Sequence, residues 1–265
     1  MNPSVQGATA LDFWESAFQN KKDLAVIDHD YFANKGRVTQ REFANLLGDV
    51  KGLEVLDIGC GSGELSVFLA NKGAKVTSSD FSANALRNTG ELAKHNNVQD
   101  RIELVQTDAL ELPNLKKRYD LLVGRFVLHH IEPFDQFTEV LHEMIADRGG
   151  RGVFMENNSA NPFLMVARKY LAGRMGIPKY GDDDEYPLEQ REVEMLHNKF
   201  DKVHQHFPEL IFFRKINTYI FRHKKMFSPF MSVNSFLDDT VYNIIPPMRK
   251  LSYLQLVEMV KKPKK

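Results

Sequence analysis

Cysteine is nearly missing from this chain of 265 residues, and Cys60 stands alone. A single thiol excludes an internal disulfide framework and suits a reducing compartment, which points to the cytoplasm. No apolar run approaches the ~20 residues that would cross a bilayer. The start, Met-Asn-Pro-Ser-Val-Gln, has no basic segment followed by an apolar core, so it does not read as a signal peptide. A net charge is lacking too, with 35 Lys and Arg against 35 Asp and Glu, and so is any overall bias toward nucleic acid. The balance is uneven, however. From Phe212 to Lys265 eleven basic residues face three acidic ones, leaving +8 there and −8 on the first 211 residues. With 43% apolar residues the chain can bury one good core, and one catalytic domain with insertions is the expectation.

The most informative stretch is residues 53–66, Leu-Glu-Val-Leu-Asp-Ile-Gly-Cys-Gly-Ser-Gly-Glu-Leu-Ser. Val55, Leu56 and Ile58 read as a buried strand, and Leu65, Phe68 and Leu69 as one face of the next helix. The glycines between let the backbone turn sharply and let a ligand lie against bare peptide. This is the first βα turn of an open α/β sheet, where nucleotides bind. A dinucleotide fingerprint needs a third glycine where Glu64 stands, and an acid there would repel a pyrophosphate. Asp57 likewise suits a cationic ligand.

Strand and helix signals then alternate: helix 63–72, strand 75–80, helix 83–95, strand 101–107, strand 119–124, helix 134–147 and strand 152–156. That rhythm predicts a doubly wound parallel sheet. Helical patterns at 9–50 precede it, including the stripe Leu11, Trp14, Ala17 and Phe18. Residues 159–186 break the rhythm with three glycines among apolar side chains and read as an inserted lid. Helix 188–203, strand six at 210–221 and strand seven at 251–260 complete the pattern. A basic and aromatic insertion at 222–250 interrupts it, where Pro246-Pro247 argues against helix and strand alike. The divisions are thus 1–50, 51–158, 159–187 and 188–265.

The stretch D-x-G-x-G-x-G from Asp57 to Gly63 closely resembles motif I of the class I S-adenosylmethionine-dependent methyltransferases. Leu128-His-His-Ile after strand four resembles their small-molecule branch, including quinone-biosynthesis types. The resemblance covers residues 50–158 well and 188–260 loosely. It implies a seven-stranded Rossmann-like methyltransferase sheet whose last strand is antiparallel, with N-terminal helices folding over the cofactor. It also implies S-adenosylmethionine held by Asp57, Gly59, Cys60, Gly61, Gly63, Asp80, Phe81, Asp108, Ala109 and Arg125. Asp80 would accept hydrogen bonds from the ribose hydroxyls, and Asp108-Ala109 would meet the adenine. The thiol of Cys60 reads as a small packing group.

The segment after strand four narrows the chemistry. The Asn/Asp-Pro-Pro-Tyr/Phe run of enzymes that methylate base or glutamine amino groups is absent, as is a nucleophilic cysteine outside the cofactor turn. The expected reaction is O-methylation of a small organic acceptor, with His129, His130 or Tyr31 as the base that removes its proton. No metal site is assigned. A lipid or prenylated acceptor at the membrane surface is the alternative, since the basic, aromatic segment after Phe212 suits peripheral contact with anionic lipid. A second alternative is a non-catalytic protein that keeps the cofactor fold for regulation. Nothing in the sequence fixes an oligomeric state.

Overall fold

The computed structural model describes residues 10–19, 24–34, 37–162, 187–214 and 228–261, together with 165, 166, 170 and 217. Helices α1 (Ala10–Ala17), α2 (Tyr31–Asn34) and α3 (Val38–Leu47) precede the sheet. The alternating part runs β1 (Glu54–Ile58), α4 (Glu64–Asn71), β2 (Lys75–Asp80), α5 (Ala83–His95), β3 (Ile102–Gln106), β4 (Leu121–Arg125), α6 (Phe134–Met144) and β5 (Arg151–Asn157). It is followed by α7 (Gln190–Lys199), β6 (Lys202–His206), α8 (Ser228–Ile244) and β7 (Leu254–Val260).

The strands lie in the order β3-β2-β1-β4-β5-β7-β6, with β7 antiparallel to both neighbours. Strand β1 is almost wholly buried because parallel strands are covered on both faces, which explains its unbroken apolar run. Val55, Val76, Val123, Val153 and Leu256 pack on one side with Phe32, Phe43 and Phe68. Leu56, Ile58, Leu122, Phe154 and Val257 pack on the other against Phe137, Leu141, Val193 and Leu196. Strand order reverses between β1 and β4, so a crevice opens at their carboxyl ends, where ligands of open α/β sheets bind.

Two expectations fail in the last third. The sixth strand is Lys202–His206, not 210–221, and the helix before it stops at Lys199. One buried residue, Val203, gives this edge strand little apolar signal, so its polar run reads as the tail of the helix. Residues 210–214 cannot join a ladder because the buried carboxylate of Asp238 takes the N–H groups of Phe212, Phe213 and Arg214. The second is the reading of Pro246-Pro247 as a bar to helix, since the 222–250 segment contains the 17-residue α8 and a 3₁₀ helix after it. Pro246 and Pro247 open a 3₁₀ helix, Pro246–Leu251, at its first turn, where a missing N–H costs nothing. The lid expected at 159–186 falls mostly outside the described residues.

Candidate functional site

The turn after β1 is built by glycines for which side chains have no room. Gly63 has φ +80°, and a Cβ there would stand 2.7 Å from the backbone Cα of Thr89 in α5. Gly61 has φ +54°, and its Cβ would stand 3.2 Å from the ring of Phe18. Gly61 donates its N–H to Asp80 Oδ2 at 3.0 Å, while Asp80 Oδ1 accepts from Ser82 N at 2.9 Å. An N–H that would cradle a phosphate is thereby committed to a carboxylate. The cradle carries Asp57, Glu64 and Asp80 close together, which fits a cationic ligand and opposes a pyrophosphate.

Asp57 is 2% exposed and accepts from Ser66 Oγ at 2.5 Å, with Ser78 Oγ bonded in turn to Ser66. Burial pushes its carboxyl up to about 7, against the pull of the Ser66 bond and of Arg125. Burial also raises Asp80, although its backbone hydrogen bonds oppose the shift. The thiol of Cys60 is buried 3.5 Å from Thr89 Oγ1 and raised well above its ordinary value, again by burial, so it stays protonated. At the β2 and β3 ends, Phe81 O accepts from Gln106 Nε2, and Asp108 Oδ1 caps the 3₁₀ helix Ala109–Leu115 through Leu110 N. Those oxygens keep lone pairs for a further donor.

Tyr31 is tied to the cradle's rim. Its hydroxyl donates to Glu64 Oε1 at 3.0 Å, and Arg125 Nη1 lies 3.5 Å from Glu64 Oε2 with its guanidinium over the Phe32 ring. The two histidines differ sharply. His129 has a side chain only 1% exposed, with Nδ1 2.6 Å from Glu156 Oε2. Glu156 Oε1 accepts from Val127 N and Leu128 N, so one buried carboxylate holds the whole turn after β4. His130 is partly exposed, with its ring centroid 4.1 Å from that of His129 and 5.1 Å from that of Trp14, to which it stands nearly perpendicular. The pair therefore comes apart into an anchor and a group that faces α1.

Sequence reasoning missed what α1 covers. Trp14 stacks on Phe18, whose ring lies over Gly61. Glu15 accepts from Ala83 N at 2.6 Å and Asn84 N at 3.1 Å, capping α5 from another helix. Asn84 and Asn88 donate back to the carbonyls of Glu15 and Phe18. The stripe at 11–18 was legible, but its partners lie some seventy residues away. Glu15→Ala is expected to weaken this clasp by about 1 kcal/mol, the usual worth of a lost cap. Amide exchange over residues 10–19 should then quicken about fivefold. Unchanged exchange would mean that α1 is held by its aromatic contacts alone.

Comparison with known proteins fits this geometry. Residues 55–149 match the sequence model of a family described as a methyltransferase domain. This stretch is thus similar to class I S-adenosylmethionine-dependent methyltransferase domains. The domain's relatives include a ubiquinone biosynthesis O-methyltransferase of Rickettsia conorii, 29% identical over 59% of this chain and 54% of that protein. A demethylmenaquinone methyltransferase of Lactobacillus johnsonii is 26% identical over 48% of this chain and 53% of its own. This chain thus spans about half the length of those relatives. Among solved structures, magnesium protoporphyrin IX methyltransferase from Synechocystis, with bound S-adenosylhomocysteine, shares the fold at TM-score 0.53 and 17% identity. It covers 94% of this chain and 93% of its own. The N-methyltransferase NodS of Bradyrhizobium japonicum, also with S-adenosylhomocysteine, does so at 0.54 and 16%, over 94% of this chain and 99% of its own. The S-adenosylmethionine such domains use carries a cationic sulfonium, and an acidic, glycine-floored turn suits a ligand of that charge.

Proposed function

We propose that this chain methylates an oxygen of a small organic acceptor bound beside α1, α2 and the turn after β4. The observation that carries this reading is the cradle itself. Gly61 lies bare under Phe18, its N–H is taken by Asp80, and the buried carboxyl of Asp57 lies close by. When bound, S-adenosylmethionine supplies an electrophilic methyl on a positively charged sulfur. Asp80 accepts from the ribose hydroxyls, Asp57 balances positive charge, and Asp108 with Ala109 lines the adenine end. Gly59, Cys60 and Gly63 shape the floor, Phe81 flanks the ribose, and Arg125 offers a cation to the cofactor's carboxylate.

Of the proposed bases, His130 is the best placed. Glu156 fixes His129 and so sets the turn on which His130 stands, and Trp14 orients its ring. His130 takes the acceptor's hydroxyl proton, while α1 and the aromatic rings keep water out. Oxygen is favoured as the acceptor atom because several relatives are named O-methyltransferases. The free thiol of Cys60 suits a reducing compartment such as the cytoplasm. No helix among the described residues is long and apolar enough to cross a membrane. Peripheral contact with an anionic membrane belongs to the same reading, since the segment from Phe212 onward carries +8.

Calorimetry with S-adenosylhomocysteine tests the reading. Binding is expected for the wild type, and Asp80→Ala should weaken it by roughly 1–3 kcal/mol, the cost of stranding buried donors. Binding of NAD in its place would overturn the assignment. A methyl-transfer screen over phenols, carboxylates, amines and lipids would then identify the acceptor.

A further inference from the structure

Helix α8 presents an apolar face to solvent. Val233 is 54% exposed, Phe236 68%, Ile244 73% and the following Ile245 46%. At about 100° per residue, Val233, Phe236 and Ile244 share one side of the helix, and the fully buried Asp238 lies on the other. The helix has no Lys or Arg, and its exposed acid, Asp239, is paired with Arg214. The apolar side therefore carries no unpaired negative charge. Basic residues follow the helix directly, Arg249 and Lys250 in the 3₁₀ helix after it, and the sequence before it is basic as well, with Arg222, Lys224 and Lys225.

The fold decides which way this face looks. Asn157 at the end of β5 pairs with Leu254 at the start of β7, and Leu256 pairs with His206 at the end of β6. The 3₁₀ helix after α8 runs straight into β7 and is held by Asn158, whose amide donates to Lys250 O and Ser252 O. Asp238 fastens the middle of α8 to the segment that leaves β6. Helix α8 is therefore anchored at the carboxyl end of the parallel strands, the end that carries the cofactor cradle.

We propose that the exposed side of α8 rests in the interface of an anionic bilayer and turns the carboxyl end of the sheet toward the lipid. Apolar side chains enter the headgroup boundary, and Arg249 and Lys250 meet lipid phosphates. The proposal deepens the function given above and depends on it only in that the docked end is the cofactor end. An enzyme held this way takes its acceptor from the membrane surface, as an amphiphile whose hydroxyl lies at headgroup depth.

The test is flotation of the full chain with vesicles of phosphatidylcholine alone and with three-tenths phosphatidylglycerol, at low and high salt. The wild type and a Phe236→Asp/Ile244→Asp variant are compared. Both side chains are exposed, so the variant should fold, and unchanged S-adenosylhomocysteine binding will show that it has. Expected are binding to the anionic vesicles only, a decline with salt, and a fall of about tenfold or more in the variant. No flotation, equal flotation on both vesicle types, or equal behaviour of variant and wild type would overturn the proposal. So would sedimentation showing a wild-type dimer that the variant loses, since the face would then join two copies. A wild type that floats but fails to bind S-adenosylhomocysteine would refute the methyltransferase reading and leave the docking surface standing.

Discussion

Glu156→Ala is expected to destabilise the fold by several kcal/mol, at about 1–3 kcal/mol for each buried donor left without an acceptor. The side chain is wholly buried and serves three donors at once: Val127 N, Leu128 N and His129 Nδ1. Alanine leaves all three without an acceptor in a place water does not reach. Glu156→Gln should be much milder, because its carbonyl oxygen still accepts from the two backbone groups. His130→Ala supplies the contrast. Stability and cofactor affinity should stay near wild type while methyl transfer falls roughly 10²–10⁴-fold, the usual worth of a positioned base. Urea denaturation and single-turnover rates on the three variants separate the roles. A Glu156→Ala protein with an unchanged midpoint would remove the anchor, and full activity in His130→Ala would remove the base.

Asp57→Asn is expected to change how stability depends on pH. In the folded protein burial holds this carboxyl at about 7, whereas its ordinary value is 3.8. Between those values the folded chain keeps a proton that the unfolded chain has lost. The unfolded state thus binds fewer protons, and stability falls as pH rises through this window. The window spans about three pH units at ~1.4 kcal/mol each, so the site costs the ligand-free protein up to about 4 kcal/mol above pH 7. Asparagine still accepts from Ser66 and carries no charge to desolvate. The variant should match the wild type near pH 4, gain on it steadily to pH 7 and hold that gain above. The ionised carboxylate is the form that attracts a sulfonium. The wild type's preference for S-adenosylmethionine over its neutral-sulfur product should therefore grow through pH 7, and the variant's should stay flat. Denaturation of the ligand-free protein at several pH values decides it, and a difference that does not vary with pH would sink the argument.

The first two-thirds of the fold could be read without coordinates because its signals are local. Val55-Leu-Asp-Ile58 is a buried parallel strand, Gly61 and Gly63 need positive φ, and Ser82 caps a helix that begins at Ala83 as expected. Each rests on residues within a few positions of one another, where backbone sterics and hydrophobic period act directly. Sequence alone likewise separated this turn from a dinucleotide site, since Glu64 and Asp57 carry the wrong charge for phosphate.

Tertiary structure decided the rest. The polar edge strand Lys202–His206 exists because β7 offers it a ladder, and its own residues give almost no sign of it. Asp238 turns Phe212 and Phe213 away from strand geometry through three backbone bonds reaching across 24 to 26 residues. The parting of His129 from His130 depends on Glu156, 27 positions away from His129 on the next strand. Glu15 meets α5 across 68 residues. Such contacts rest on specific pairings between distant side chains, and no local period or propensity encodes them. The sequence carried the nature of the cradle, because charge and glycine placement are properties of a single turn. That His129 is buried while His130 is partly exposed, and that α8 leaves an apolar face uncovered, came only from the packed chain, where burial chooses between neighbours of the same kind.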